Sequence, residues 1–285
     1  PREVRFALTS RDLKILTIVQ RYRLVTSAHL EALADGSNQG ILRRLQRLFH
    51  GGFLDRIARP IRQKAGSAKM VYAITNRGLR ELQKEGLVQA VTKTDWNAQN
   101  RDLHGYSIEH TLLVSQLRAV LDLACQATPD LRLITWQEGP KTFDAVEVLN
   151  EGYARVPVAP DAFFGLEDPK GRLYFFLEAD RGTMTVPRFV RKLAAYAAYW
   201  RERRHESKFG IRYFRVLTVT TGRKRRENLV AAARNAECLT GLGRLFLFTE
   251  EERISLESPA SILGEIWTTL EEPRPQALLG PTLSR

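Results

Sequence analysis

The spacing of apolar residues predicts three helices at the start of the chain. Within residues 10–20, 25–33 and 39–50, leucine, isoleucine and valine recur every three or four positions, as they do on the buried face of a helix. The hydroxyl of Thr9 can cap the first helix, and a Gly-Gly pair follows the third. The beginning of the chain is therefore expected to form a small helical module.

Two strands and a fourth helix are predicted next. The segments FLDRIAR and MVYAIT contain the β-branched and aromatic residues that favour strands, and a helix is predicted from Asn76. A loop rich in basic residues lies between the two strands. Three helices followed by two strands, a basic loop and a closing helix resemble a winged helix-turn-helix. We therefore expect a winged-helix domain over residues 1–90.

The remaining sequence predicts a second domain. Residues 91–104 are polar and weakly patterned, and we interpret them as a linker. Residues 105–270 are predicted to fold as helix, strand, strand, strand, helix, strand, helix, strand, with a flap at 139–154 and a last helix at SILGEIWTTL. A Pro-containing tail covers 271–285. The chain is thus predicted to be a two-domain protein that combines α+β and α/β architecture.

Charge is distributed unevenly between the two predicted domains. The chain of 285 residues has a net charge of +12, and residues 1–80 contain 16 Lys and Arg against 5 Asp and Glu, a net charge of +11. A basic segment joined to a nearly neutral one is typical of proteins that bind nucleic acid through the basic part. A solvated basic surface would give the same charge, so the pattern leaves both interpretations open.

Apolar runs and cysteines indicate the cellular compartment. No apolar run reaches the roughly 18 residues that span a membrane, and no secretory signal opens the sequence. Cys125 and Cys238 lie far apart in predicted helices, so reduced thiols are expected, and no Cys/His cluster has the spacing of a zinc site. These features predict a cytoplasmic protein without a membrane partner.

The predicted third helix provides the best candidates for contact with double-stranded DNA. Its polar face would enter a groove, and the basic loop between the two strands would lie on phosphates. The residues assigned to the groove are Gln39, Arg43, Arg44 and Arg47, and those assigned to phosphates are Arg62, Lys64 and Lys69. The alternative is a winged helix used for protein contacts. A homodimer would match two half-sites, although no heptad repeat in the sequence indicates one.

Carboxylates cluster in the centre of the second domain. PVAPDAFFGL is predicted as a strand with Asp161 in its middle, and RLYFFLEAD as the next strand, ending in Glu178 and Asp180. Alternate strand residues share a face, so Glu178 and Asp180 point the same way, and a hairpin would bring Asp161 to the same end of the sheet. Carboxylates this close titrate abnormally unless a cation joins them, and their oxygens suit Mg²⁺ or Mn²⁺.

This stretch resembles two known families. Pro160-Asp161 followed by Glu178-x-Asp180 is similar to the signature of the PD-(D/E)xK nucleases, whose restriction-endonuclease-like fold has the element order αβββαβ that is predicted here from Tyr106. More narrowly, FFLEADRGT and the helix after it resemble the replication-relaxation family of plasmids and mobile elements. The matching residues are Pro160, Asp161, Glu178, Asp180, Arg181, Gly182, Thr183, Lys192, Leu193 and Tyr196.

The resemblance implies metal-dependent chemistry on DNA. Asp161 and Glu178 would hold Mg²⁺ or Mn²⁺, and Asp180 would be a further metal ligand or an acid next to the ligands. Lys192 would replace the lysine that the signature places at the position of Asp180. Residues of second rank, which could assist at the metal or hold a phosphate, are Glu109, His110 and Arg181. The charge run Arg223–Arg226, at the start of a predicted helix, is interpreted as a solvated face, with a phosphate contact as the alternative.

The expected function is nicking or cleavage of DNA in the replication or mobilisation of a plasmid or mobile element. Two alternatives remain open. In the first, the protein is a catalytically inactive regulator on a nuclease-like scaffold. This alternative is favoured because Asp180 stands where the nuclease signature has its lysine. In the second, both domains mediate assembly and the basic face is incidental. DNA affinity that depends steeply on salt would exclude the second, because phosphate contacts release counterions.

Overall fold

The fold consists of two compact units whose boundary falls inside a long helix. A computed structural model describes the chain over residues 7–58, 69–89, 94–149 and 153–280. Contacts between residues divide the chain into a first unit, residues 1–119, and a second unit, residues 120–285. No helix within the described ranges is both long and apolar enough to cross a membrane.

The described part of the first unit consists of helices and three short strands. The elements are α1 (Ser10–Tyr22), β1 (Val25–Thr26), α2 (Ser27–Leu33), α3 (Asn38–His50), β2 (Leu54–Ile57), β3 (Val71–Ile74), α4 (Asn76–Lys84), α5 (Trp96–Arg101) and α6 (Gly105–Ala127). The strands form an antiparallel sheet in the order β1-β3-β2. The helices and strands predicted between residues 10 and 84 are therefore present, and β1 is an additional short strand.

Side-chain caps determine where the first two helices begin. The Thr9 hydroxyl accepts a hydrogen bond from the Asp12 N–H at 3.3 Å, while the Asp12 carboxylate accepts one from the Thr9 N–H at 2.9 Å. Thr26 and His29 make the same reciprocal pair at the start of α2, with distances of 3.3 and 3.1 Å. Each pair satisfies two backbone donors that a helix start leaves without an internal partner, which fixes the first turn.

Helix α6 contributes to the core of the first unit. Its residues Ile108 and Leu112 pack with Leu24 and Val71, and all four are buried. A further helix, α5, lies within the segment 91–104 that the sequence indicates as a linker. The division by contacts therefore falls later than the predicted boundaries, because the first turns of α6 supply apolar side chains to the helical module.

The described part of the second unit is built on a large mixed sheet. Its elements are β4 (Arg132–Gln137), β5 (Asp144–Leu149), β6 (Tyr153–Val158), β7 (Ala162–Asp168), β8 (Gly171–Asp180), α7 (Val186–Arg201), α8 (Arg204–Phe209), β9 (Arg215–Thr220), α9 (Arg223–Arg234), β10 (Phe246–Glu250), β11 (Glu265–Thr269) and β12 (Gln276–Ala277). Seven strands form the sheet in the order β12-β11-β10-β9-β8-β7-β4, and β5 pairs with β6 separately. Strands β8, β9 and β10 are parallel, whereas β4, β7 and β8 are antiparallel.

One apolar core joins the large sheet to α7 and α9. Phe176 of β8 and Phe248 of β10 pack in the same buried cluster as Phe189 and Tyr196 of α7 and Leu229 of α9. Because residues two apart on a strand share a face, Glu178 and Asp180 point to the side of the sheet that Phe176 occupies. The polar end of β8 is therefore placed beside α7 and α9.

Three predicted elements differ from the structure. PVAPDAFFGL is not one strand, because β6 ends at Val158 and β7 begins at Ala162, so Asp161 lies in the bend between two sheets. The predicted flap contains strands β5 and β6. SILGEIWTTL ends in strand β11 rather than a helix, and the tail contributes β12, which pairs with β11. The buried ring of Trp267, which donates to the Ile262 carbonyl at 2.8 Å, anchors β11.

Candidate functional site

Acidic residues line the carboxyl ends of three parallel strands. Asp180 at the end of β8 lies in register with Thr220 of β9, which lies in register with Glu250 of β10. Glu178 precedes Asp180 by two positions and lies in register with Thr218. Glu178, Asp180 and Glu250 are all buried, with exposed fractions of 3, 7 and 4 %. Buried carboxylates require partners, and the partners of each one decide what the cluster can do.

Glu178 is held by two side chains of α7. The Lys192 ammonium forms an ion pair with one carboxylate oxygen, and the Tyr196 hydroxyl donates to the other at 2.5 Å. Lys192 and Tyr196 are four positions apart and so lie on the same face of the helix. The structure thus places the Lys192 ammonium beside the Glu178 carboxylate, and its part in catalysis remains a prediction. Burial keeps the pKa of Tyr196 far above its usual value, so its hydroxyl stays protonated and acts as a donor.

Asp161 lies beside Glu178 because the bend before β7 pairs with β8. Its carboxylate accepts the Ala179 N–H at 2.7 Å, and its own N–H donates to the Leu177 carbonyl at 2.9 Å. These two bonds fasten Asp161 to the backbone on either side of Glu178. The predicted proximity of Asp161 and Glu178 is therefore found, although Asp161 reaches the site from a bend and not from the middle of a strand.

Burial raises the pKa of Glu178 to about 7. Desolvation is the largest cause, and the nearby charge of Asp161 acts in the same direction, while the Lys192 ammonium and the Tyr196 hydroxyl oppose it. A carboxyl with this pKa exchanges its proton near neutral pH. Glu178 is therefore the residue whose protonation state controls the charge of this site.

Asp180 is held by an arginine of α9. The Arg225 guanidinium donates to both of its carboxylate oxygens, at 2.7 and 3.0 Å, and also to the Met184 carbonyl at 2.7 Å. In the described ranges, no three His, Cys, Asp or Glu side chains come together as a metal-binding group. A bidentate ion pair therefore occupies the Asp180 carboxylate, and its role as a further ligand or as an acid next to the metal ligands remains a prediction.

The charge run at the start of α9 has two parts, because Arg223 and Lys224 are exposed whereas Arg225 and Arg226 are partly buried and pair with acids at the strand ends. Arg226 donates to Glu250 at 2.8 Å and to the Thr268 hydroxyl at 2.8 Å. Its neighbour Arg225 donates to Asp180. Arg181 forms an ion pair with Glu251. Arg225 and Arg226 neutralise acids at the strand ends, and no local pattern indicated these pairs because the partners lie 45 and 24 positions apart in the sequence.

The donor set that remains fits one hard cation. Asp161 and Glu178 provide two carboxylates, and Mg²⁺ is commonly bound by one or two carboxylates together with water and substrate phosphates. Mn²⁺ accepts the same oxygen ligands. Because a bound cation needs the carboxylate form of Glu178, the proton on that residue competes with the metal near neutral pH.

The predicted DNA contacts on α3 divide into two groups. Gln39, Arg43 and Arg47 are exposed. Arg44 instead faces α1, where it pairs with the buried Asp12 at 2.9 Å and donates to the Thr9 hydroxyl at 2.8 Å. Its assignment to a DNA groove is therefore corrected, since its guanidinium fastens α3 to the capping residues of α1.

The other candidates are placed as follows. Arg62 and Lys64 lie outside the described residues, and Lys69 is exposed. Glu109 and His110 are half-buried on α6 in the first unit, and the His110 ring lies 6.1 Å from that of Tyr106. Their role at a metal remains a prediction.

Comparison with known proteins places the chain in a family. The sequence model of the family described as Replication-relaxation matches residues 16–212. The chain belongs to the replication-relaxation family. The matched range contains α3, Asp161, Glu178 and Lys192, whereas α9 and Arg225 lie beyond it. No curated protein matches the sequence.

One solved structure with limited similarity is that of restriction endonuclease FokI. The match has a TM-score of 0.31 at 9 % identity, and it covers 88 % of this chain and 43 % of the FokI chain. The replication-relaxation protein therefore spans less than half the length of FokI. A score this low carries no conclusion about its fold or activity.

Proposed function

We propose that this replication-relaxation protein binds double-stranded DNA through its first unit and nicks or cuts a strand at Asp161, Glu178 and Lys192 in its second unit. The observation that carries the proposal is the ion pair between Lys192 and the buried Glu178, beside Asp161. Two carboxylates and a lysine at the end of a sheet are the residue types that a PD-(D/E)xK nuclease uses. The DNA would be that of a plasmid or mobile element, in keeping with the family.

The first unit supports the DNA-binding part of the proposal. Helices α1, α2 and α3 followed by the hairpin strands β2 and β3 have the element order of a winged helix. On α3, Arg43, Arg47 and Gln39 form an exposed polar face suited to a groove. Lys69, with Arg62 and Lys64 of the same inter-strand segment, would contact phosphates.

In the second unit, each residue has a distinct part in the proposed reaction. Asp161 and Glu178 would hold Mg²⁺ or Mn²⁺, which activates water and stabilises the leaving oxygen when bound. Lys192, whose side chain keeps 21 % of its surface exposed, would then move its ammonium from Glu178 toward the negative charge of the phosphate. Tyr196 fixes one oxygen of Glu178. Arg225 cancels the charge of Asp180, which would otherwise repel a phosphate.

A second candidate function is DNA binding without cleavage. It is favoured by the same burial that raises the pKa of Glu178, since both of its oxygens already accept hydrogen bonds in the structure. In that case Lys192 and Glu178 are only a structural ion pair, and the second unit is a nuclease-like scaffold. The protein would then regulate replication or transcription.

Metal binding and plasmid nicking, measured on the same samples, separate the two functions. Calorimetry with Mn²⁺ is performed on the wild type and on Asp161→Ala/Glu178→Ala, with the exposed pair Glu237→Ala/Glu257→Ala as the matched control. The nuclease proposal predicts metal binding and nicking in the wild type and the control, and loss of both in the site variant. If all three proteins bind DNA in a salt-dependent way but neither bind metal nor nick, the nuclease proposal is refuted and DNA binding without cleavage is supported.

A further inference from the structure

A basic and aromatic cavity lies at the carboxyl end of α7, separate from the acidic site. Its volume is about 410 Å³, within the range of pockets that hold small-molecule ligands. The residues that line it include Trp200, Arg201, Arg203, His205, Arg212 and Tyr213. All of them belong to the second unit. Trp200 follows Lys192 by eight positions, about 12 Å along the helix at 1.5 Å per residue.

The charged groups at the cavity favour an anion. Arg201 and Arg212 are exposed at its edge. Arg203 pairs with Glu206, the one acidic lining residue, at 2.8 Å. The Arg212 guanidinium lies over the Tyr213 ring, 5.3 Å from its centre. Three guanidinium groups against one carboxylate give the cavity a net positive charge.

Three aromatic rings pack against one another at the cavity. The rings of Trp200 and His205 are stacked, with centres 5.1 Å apart and planes within 3°. The centres of the Tyr213 and Trp200 rings are 5.9 Å apart, and their planes are tilted by 31° relative to each other. His205 is only 2 % exposed, and its Nε2 contacts the Arg212 carbonyl at 3.2 Å, which ties the aromatic pair to the segment that carries Arg212. Such a group of aromatic rings suits the face of an unpaired base.

The backbone holds Arg203 in an unusual conformation. Its φ is 54°, in the left-handed region that is uncommon for residues other than glycine. Its N–H donates to the Trp200 carbonyl at 3.0 Å, which closes the turn after α7. This turn places Arg203 among the residues that line the cavity.

From these observations we infer that the cavity binds single-stranded DNA, independently of the duplex bound by the first unit. One base stacks on the surface formed by Trp200 and Tyr213, and Arg201 and Arg212 hold the adjoining phosphates. A paired base in a duplex has both faces covered by its neighbours, whereas a single strand presents a free face to the cavity. A strand separated at a replication or nicking site is a ligand of this class.

The test is the binding of a fluorescent oligothymidine of about 12 nucleotides, followed by anisotropy. The variants are Arg201→Ala/Arg212→Ala at the cavity, and Arg274→Ala/Lys224→Ala as a control that removes two exposed charges of the same unit. The expected result is a loss of affinity of at least tenfold in the cavity variant and less than threefold in the control. Binding of duplex DNA should be unchanged in both.

Crosslinking gives a second readout that does not depend on charge. The same oligonucleotide with 5-iododeoxyuridine is irradiated with the wild-type protein, and the modified residue is located by mass spectrometry. The inference predicts adducts on Trp200 or Tyr213. Equal affinity of the wild type and the cavity variant, equal losses in both variants, or adducts confined to the first unit would each overturn it. None of these results bears on cleavage at Glu178, so the two proposals fail separately.

Discussion

Replacing Glu178 by glutamine should change how the stability of the protein depends on pH. The pKa of Glu178 rises from its ordinary value of 4.5 to about 7 in the folded protein, chiefly because the carboxyl is buried. The folded state therefore binds a proton between these two values that the unfolded state does not bind. Stability falls as the pH rises through this window and levels off above it. Glutamine resembles the protonated acid and has no such dependence.

The magnitude follows from the two pKa values. Each pKa difference of one corresponds to about 1.4 kcal/mol, so raising the pH from 4 to 8 should cost the wild type about 3 kcal/mol through Glu178 alone. The difference in unfolding free energy, variant minus wild type, should therefore increase by about 3 kcal/mol between pH 4 and 8.

Urea unfolding monitored by tryptophan fluorescence measures this difference. Three of the four tryptophans, Trp136, Trp200 and Trp267, belong to the second unit, so the signal reports mainly the unit that contains Glu178. Other titrating groups are the same in both proteins and cancel in the comparison. A difference that stays constant from pH 4 to 8, or that decreases, would refute the raised pKa and the burial that causes it.

Four further predictions concern metal and DNA. Calorimetry should show that Mn²⁺ affinity increases up to about tenfold per pH step of one below the pKa of Glu178, near 7, and levels off above it, because the proton competes with the metal. Arg43→Ala/Arg47→Ala should reduce the slope of log affinity against log salt by about two, measured by anisotropy on duplex DNA. Arg44→Ala should leave that slope unchanged and lower the thermal midpoint, since it removes the Asp12 pair. Leu42, 44 % exposed on α3, should contact a thymine methyl. On a duplex selected from a random pool, Leu42→Ser should abolish the preference for thymine over uracil. An unchanged slope, an unchanged midpoint or a retained preference would contradict the respective assignment.

Local patterns predicted the parts of the site that lie close together in sequence. Strand alternation placed Glu178 and Asp180 on one face, and the four-residue spacing placed Lys192 and Tyr196 on one side of α7. Both rules depend only on the repeat of a single element. The order of the helices and strands around the site was predictable for the same reason. Asp161 was the exception, because it was predicted within a strand and lies in the bend before β7.

Partners distant in sequence could not be predicted. The pairing of Asp180 with Arg225 depends on the parallel register of β8 and β9 and on where α9 begins, which no local pattern specifies. The pairing of Arg44 with Asp12 similarly depends on how α3 packs against α1. At the end of the chain, the run containing Trp267 has apolar spacing that suits a helix or a strand, and pairing with β10 determined the outcome.

The most direct test of cleavage at Glu178 and Lys192 is plasmid nicking by Lys192→Met at pH 8 with Mn²⁺, compared with the wild type and with Lys224→Met, an exposed lysine of the same unit. The proposal predicts that Lys192→Met binds Mn²⁺ and duplex DNA but nicks at least about 100-fold more slowly, the typical loss when one group that stabilises transition-state charge is removed. Lys224→Met should nick at the wild-type rate. Equal nicking by all three proteins, or none by the wild type while it binds DNA, would contradict it.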